Sequence, residues 1–147
     1  EICRRNPVTI RAQEELDNAA RLMRERHIGY LIVVEPFPPH AAPRPVGVLT
    51  DRDIVVGVLA KGTDPHLVRV GDVMTREPVL VSEDASLNSA LAEMRRIGVR
   101  RIPVVDVVGQ LVGVLSLDEV LDAVAQELLG VIGSIRTEVR TEGARRP

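Results

Sequence analysis

The chain repeats itself. Pro7 aligns with Pro78 at a shift of 71 residues, and at that shift Leu16 meets Leu87, Ala19 meets Ala90, Met23 meets Met94 and Leu31 meets Ile102. Past the next loop the shift falls to 66, with Gly47 on Gly113, Leu49 on Leu115 and Thr50 on Ser116. The difference, 71 − 66, is a five-residue insertion in the first copy, within the proline-rich stretch 35–45. That stretch reads as an exposed loop, because proline donates no backbone hydrogen bond to a helix or ladder. A duplication constrains the fold more tightly than composition does. Whatever one copy forms the other must form, and units this small cannot cover both faces of their strands alone.

Each copy parses alike. A short strand comes first (residues 8–10 and 79–81), then a helix whose apolar residues recur at i, i+3, i+4 and i+7: Leu16, Ala19, Ala20 and Met23, then Leu87, Ala90, Leu91 and Met94. Two strands follow, near 30–34 and 46–49 in the first copy and 102–105 and 111–115 in the second. A second helix closes each unit, over 51–60 and 117–129. Gly109-Gln110 reads as a tight turn where the first copy has its proline loop. The expected fold is mixed α/β (α+β), two tandem β-α-β-β-α repeats packed about a pseudo-two-fold axis. The first repeat is assigned to 1–68, the second to 69–129 and a C-terminal extension to 130–147. In the extension Val131, Ile132, Ile135 and Val139 keep a helical spacing, while Gly130 and Gly133 weaken a helix. Two readings stand: a continuation of the last helix that packs on a partner subunit, or a loose tail frayed from residue 140 onward.

At 147 residues the chain can bury roughly 68–70% of its unfolded surface and needs no disulfide or metal staple. A formal net charge of −2 gives no reason to expect nucleic acid as a partner. No run approaches a membrane span and no signal-peptide pattern occurs. Cys3 is the single cysteine, which excludes an internal disulfide and points to a reducing, cytoplasmic setting. Its counterpart at the shift of 71 is Met74, so it reads as a half-buried small hydrophobe. The chain opens on glutamate, not methionine, which suggests a trimmed form. Tyr30 and Phe37 are the only aromatics, so a flat ligand would be gripped mainly by aliphatic side chains.

Chemistry concentrates where a strand hands over to a helix, at Val46–Leu59 and again at Leu111–Val120. Such junctions gather unpaired N–H groups at a helix start and suit anionic or polar ligands. Thr50-x-x-Asp53 and Ser116-x-x-Glu119 also have the form of a helix capping box, which requires no ligand.

Three marks together carry a resemblance: Gly47-Val48-Leu49-Thr50-Asp51-Arg52-Asp53, Gly98-Val99-Arg100-Arg101-Ile102-Pro103-Val104-Val105-Asp106 and Asp72-Val73-Met74-Thr75. With the doubled β-α-β-β-α pattern over residues 1–129, the chain resembles a cystathionine-β-synthase-type (CBS) domain pair, or Bateman module, of the stand-alone bacterial kind. The resemblance implies a regulatory module that binds AMP, ADP, ATP, S-adenosylmethionine or NAD and requires no cofactor. It implies a homodimer built through helix faces, here 54–59 and 120–129, acting on an unnamed downstream protein. The family's acid holds the ribose hydroxyls, and its Thr or Ser lies beside ribose and phosphates. Carried over, those roles fall on Asp53 and Thr50 in the first copy, and on Glu119 and Ser116 in the second.

For Thr50/Asp53 the ribose reading is preferred, because aspartate is the poorer capping-box partner. For Ser116/Glu119 the cap is preferred, since the extra methylene moves the carboxylate. Arg52, in a first helical turn where a cation opposes the helix dipole, and Arg101, alternating with a buried Ile102, are the phosphate candidates, with Arg100 beside them. Arg95 and Arg96 read as solvated. His27, His40 and His66 lack ligand spacing, so no metal site is expected, and no nucleophile-base set or phosphate loop is visible, so no enzyme is expected. The alternatives are a ligand-free dimerisation module or a regulatory fragment of a larger enzyme or transporter.

Overall fold

The computed structural model describes residues 3–35 and 42–145. The proline loop of the first copy, with Phe37 and His40, falls largely outside those residues. Two four-stranded sheets form. The first runs β2 (Thr9–Arg11), β3 (Tyr30–Glu35), β4 (Arg44–Thr50) and β5 (Thr75–Arg76). The second runs β6 (Val81–Ser82), β7 (Arg101–Val105), β8 (Leu111–Ser116) and β1 (Arg4–Arg5). In each the first pair is parallel and the others antiparallel. The repeat extends to irregularities: the β3/β4 register slips between Val33 and Val34, and the β7/β8 register slips between Val104 and Val105, the counterpart position.

The outer strands cross over. β5 leads into the second copy by sequence yet closes the first sheet, with Gly47 opposite Arg76. β1 opens the first copy yet closes the second sheet, with Arg4 opposite Val114. Their neighbours follow them. Met74 is buried in the first core with Leu16, Leu31 and Leu49, and half-buried Cys3 packs on the second with Val81, Ile102 and Leu115.

Helices cover the outer faces. α1 (Leu16–Arg26) and α4 (Leu87–Ile97) bury their i, i+3, i+7 residues (Leu16, Ala19 and Met23; Ala90 and Met94). α1 ends on His27 in the left-handed region, φ 53°, where the second copy has Gly98 at φ 71°. α2 (Asp51–Gly57) stops short of the expected residue 60 and passes into a 3-10 turn at Leu59–Lys61. α3 (Val70–Val73) is a helix where the sequence offered only a lead-in, and Val70 is fully buried in the first core. The first strands sit one to two residues later than expected. The loop is also narrower than 35–45: Glu35 ends β3, and Arg44 and Pro45 begin β4, where proline costs no ladder bond. α5 (Leu117–Arg145) does not end at Leu129. It continues as one helix of 29 residues.

Between the sheets Ile32, Val34 and Leu111 form a third apolar cluster, with Tyr30 and Val114 beside it.

Candidate functional site

Both strand-to-helix junctions close a full capping box. Asp53 N–H donates to Thr50 Oγ1 at 3.1 Å, and Thr50 N–H donates to Asp53 Oδ2 at 2.9 Å. In the second copy Glu119 N–H donates to Ser116 Oγ at 3.2 Å, and both Ser116 N–H and the Ser116 hydroxyl donate to Glu119 Oε2, at 3.2 and 2.8 Å. The ground for separating the two junctions therefore fails. Aspartate caps α2 as completely as glutamate caps α5, because its shorter side chain still reaches the N-cap amide from N3. One carboxylate oxygen is used in each box. Among the described residues no hydrogen bond to Asp53 Oδ1 is recorded.

The second junction opens into a groove of about 280 Å³ between the halves. Its floor is Val114, Ser116 and Glu119, with Asp118 and Asp122 at one rim; the facing wall is Val8, Ile28, Tyr30 and Ile32 from the first copy, and Arg101 completes it. The first junction behaves differently. Arg52 and Asp53 line a separate cleft of about 290 Å³ with Val56, Lys61 and Asp72, and Thr50 borders neither space but anchors Asp53. So the six sequence candidates divide: Arg101, Ser116 and Glu119 come together, and Arg52 and Asp53 lie in the other cleft. A larger depression of about 650 Å³ on the outer side of α1 is lined by Arg11, Glu14, Asn18, Arg21 and Glu25 and involves neither junction.

Tyr30 is the residue the sequence reading passed over. Its hydroxyl is buried without a hydrogen-bond partner among the described residues, and it borders the groove. Burial pushes the phenol well above its ordinary pKa, against a smaller opposing effect of the Arg101 charge. The Arg101 guanidinium lies 6.0 Å from the centre of the Tyr30 ring. Since 30 + 71 = 101, these are counterpart positions, and each pairs with its own junction residue, Tyr30 with Thr50 and Arg101 with Ser116. Two counterparts can touch only close to the pseudo-two-fold axis, so the axis passes between them. The available signal was the only tyrosine standing at the position that matches Arg101. Tyr30→Phe is expected to leave unfolding free energy unchanged or raised by less than about 1 kcal/mol, since it deletes an unpaired buried hydroxyl. A denaturant titration showing a loss above that figure would mean the hydroxyl has a partner.

The remaining arginines are engaged elsewhere. Arg100 is paired with Asp118 at 2.7 Å across the start of α5, and Arg96 with Glu93 at 2.7 Å, both on the surface. Among the described residues no group of three or more His, Cys, Asp or Glu side chains is gathered to hold a metal, and no helix is long and apolar enough to cross a membrane.

A family model described as CBS domain matches residues 1–59 and again residues 70–126. The chain belongs to the CBS-domain family. Its two matches fall on the two halves, so it is a CBS pair. Hypoxic response protein 1 of Mycobacterium tuberculosis is 37% identical over 103 residues, 70% of this chain and 68% of that protein. The uncharacterized protein MK0525 of Methanopyrus kandleri is 33% identical over 121 residues, 82% of this chain; the chain spans only 59% of that relative's length. Among solved structures, Hypoxic Response Protein I with two coordinated zinc ions matches at TM-score 0.71 and 31% identity, over 82% of this chain and 93% of that one. The hexameric CBS-CP12 protein from bloom-forming cyanobacteria matches at 0.69 and 29%, over 97% and 84%. The CBS pair of MJ0100, in complex with 5-methylthioadenosine and S-adenosyl-L-methionine, shares the fold at 0.72 and 22%, over 86% and 94%.

Proposed function

We propose that this CBS pair is a regulatory, non-catalytic module that binds an adenosine-containing molecule: AMP, ADP, ATP, S-adenosylmethionine or NAD. The observation that carries the reading is the groove of about 280 Å³ between the halves, with an unpaired buried hydroxyl in its wall. Its volume lies at the lower end of small-molecule sites, and its composition fits them, apolar with a few convergent polar groups. Adenine lies among Val8, Ile28, Ile32 and Val114. Ribose meets the acid of a junction, Glu119 here and Asp53 in the first copy, with Ser116 and Thr50 beside it. Arg101 and Arg52 serve as the phosphate partners in the two clefts. That a CBS pair of the same fold holds two adenosyl compounds is in keeping with this class of ligand.

Ligand binding biases the packing of the halves and so a downstream protein, provided the ligand favours one arrangement. The module is assigned to the cytoplasm and to a homodimer formed through the helix faces at 54–59 and 120–129, where Val55, Val56, Leu59, Leu121 and Leu128 are exposed. A hexameric relative supports self-association.

A thermal-shift series with AMP, ATP, NAD and S-adenosylmethionine at millimolar concentration tests the ligand reading. A ligand at 100 times its Kd stabilises by about 2.7 kcal/mol. In a domain of this size that raises Tm by roughly 5–10 °C. No rise with any of them favours the ligand-free module, in which the junction motifs serve as caps alone. If a ligand binds and Asp53→Ala and Glu119→Ala both leave its affinity unchanged, the acids have no ribose role.

A further inference from the structure

α5 outlasts the core it packs on. Val120 is buried in the second core and Leu117 packs against it, but every described residue past Ala123 whose side chain is defined is exposed. At about 1.5 Å per residue, 29 residues span about 43 Å. The bare part is not polar. Leu121, Val124, Leu128, Val131 and Ile135 are spaced 3, 4, 3 and 4 apart, the a/d spacing of a helix seam, and all are 43–59% exposed. Ile132 and Val139 widen the stripe. The opposite side carries Gly130 and Gly133, whose carbonyls accept from the Ser134 and Thr137 hydroxyls at 3.1 and 2.9 Å. Each interior glycine costs a helix about 1 kcal/mol relative to alanine, and packing of an apolar face supplies most helical stability in proteins. A helix of this composition needs a cover for its stripe.

The charges beside the stripe say which cover fits. Asp118 and Asp122 stand near the start of α5, and Arg136 and Arg140 near its end. Asp118 and Arg136 are 18 residues apart, as are Asp122 and Arg140, which at about 3.6 residues per turn is five whole turns. All four therefore lie on one flank, acidic at one end and basic at the other. A second copy laid antiparallel sets Asp118 against Arg140 of the partner subunit and Asp122 against Arg136 of the partner subunit. In both pairs the residue numbers sum to 258, which puts the two-fold beside Leu129. The seam gives the same level independently: Val124 opposite the partner's Ile135 and Leu128 opposite the partner's Val131 each sum to 259. A parallel copy would set like-charged ends level.

We propose that the exposed stripe of α5 from Leu121 to Val139 is a self-complementary docking surface for α5 of a second copy, antiparallel, with its two-fold beside Leu129. The pairing is isologous and closes as a dimer. It brings Arg136 of the partner subunit to Asp122, at the rim of the groove. The proposal rests on the self-association reading above and extends it to the seam, its direction and its register.

Light scattering on the full chain after size exclusion tests it. The chain is expected to run as a dimer or a multiple of one at micromolar concentration, and Leu128→Glu with Ile135→Glu to weaken the pairing at least tenfold while Tm of the CBS body is kept. Asp122→Arg alone and Arg136→Asp alone are each expected to weaken association, and the two together to restore it. A chain monomeric at all concentrations would overturn both the proposal and the self-association reading. Association that survives the Leu128/Ile135 variant would overturn the seam and leave self-association through other faces. Weakening by both single charge reversals without restoration in the double variant would overturn the antiparallel register.

Discussion

Replacing Leu31 by alanine is expected to destabilise the fold by about 2–5 kcal/mol, the range for a buried leucine truncated in a core that cannot collapse. Leu31 is wholly inaccessible, and so is Leu49, its partner across the β3/β4 ladder. β3 is held between β2 and β4, so its backbone cannot move inward to fill the space. Chemical denaturation measures the loss directly, and in a protein of this size it corresponds to a fall in Tm of roughly 4–20 °C. Leu67, 83% exposed, is the control, with Leu67→Ala expected to stay within about 0.5 kcal/mol. A loss below about 1 kcal/mol for Leu31→Ala would mean the first half lacks the close-packed centre described above.

Gly47→Val is expected to cost about 1–3 kcal/mol or more, by overpacking instead of by leaving a void. A Cβ on Gly47 would lie 2.5 Å from Met74 Sδ and 3.0 Å from the Thr75 carbonyl oxygen. The sulfur ends a flexible side chain and can move; the carbonyl belongs to β5 and cannot move without breaking its pairing with β4. Gly47→Val combined with Met74→Ala is therefore expected to regain little, because the backbone clash stays. Thermal unfolding of the three variants separates these terms, and full recovery in the double variant would show that only the sulfur was in the way. The glycine that opens the family fingerprint is thus explained by a neighbouring strand, whatever binds at the junction.

The repeat made most of this fold legible. Counting from Pro7 to Pro78 placed two sheets and their helices, and the counterpart slips at Val33/Val34 and Val104/Val105 show how literally the copies match. The crossed outer strands were not legible, because two residues of extended backbone carry no periodicity and their partners lie far away in sequence. α3 was missed for a similar reason: one turn is too short for a helical pattern, and Val70 is buried by tertiary packing. The continuation of α5 was left open because Gly130 and Gly133 count against a helix while the apolar spacing favours one. At the site, the junction motifs were found by their spacing, but spacing could not tell a cap from a ribose ligand, and both boxes close in the structure. Tyr30 escaped notice because a lone tyrosine in a strand is ordinary until its counterpart, Arg101, is found facing it.

The crossing of β1 into the far sheet sets a timetable for synthesis. Arg4 pairs with Val114, so the strand laid down among the first residues to leave the ribosome has no seat until nearly four-fifths of the chain has been made. The first sheet waits less long, since β5 follows β4 within about thirty residues. Closing long sequence separations is slow. The nascent chain therefore completes its first half early and keeps its own beginning unfastened until the second half arrives to receive it.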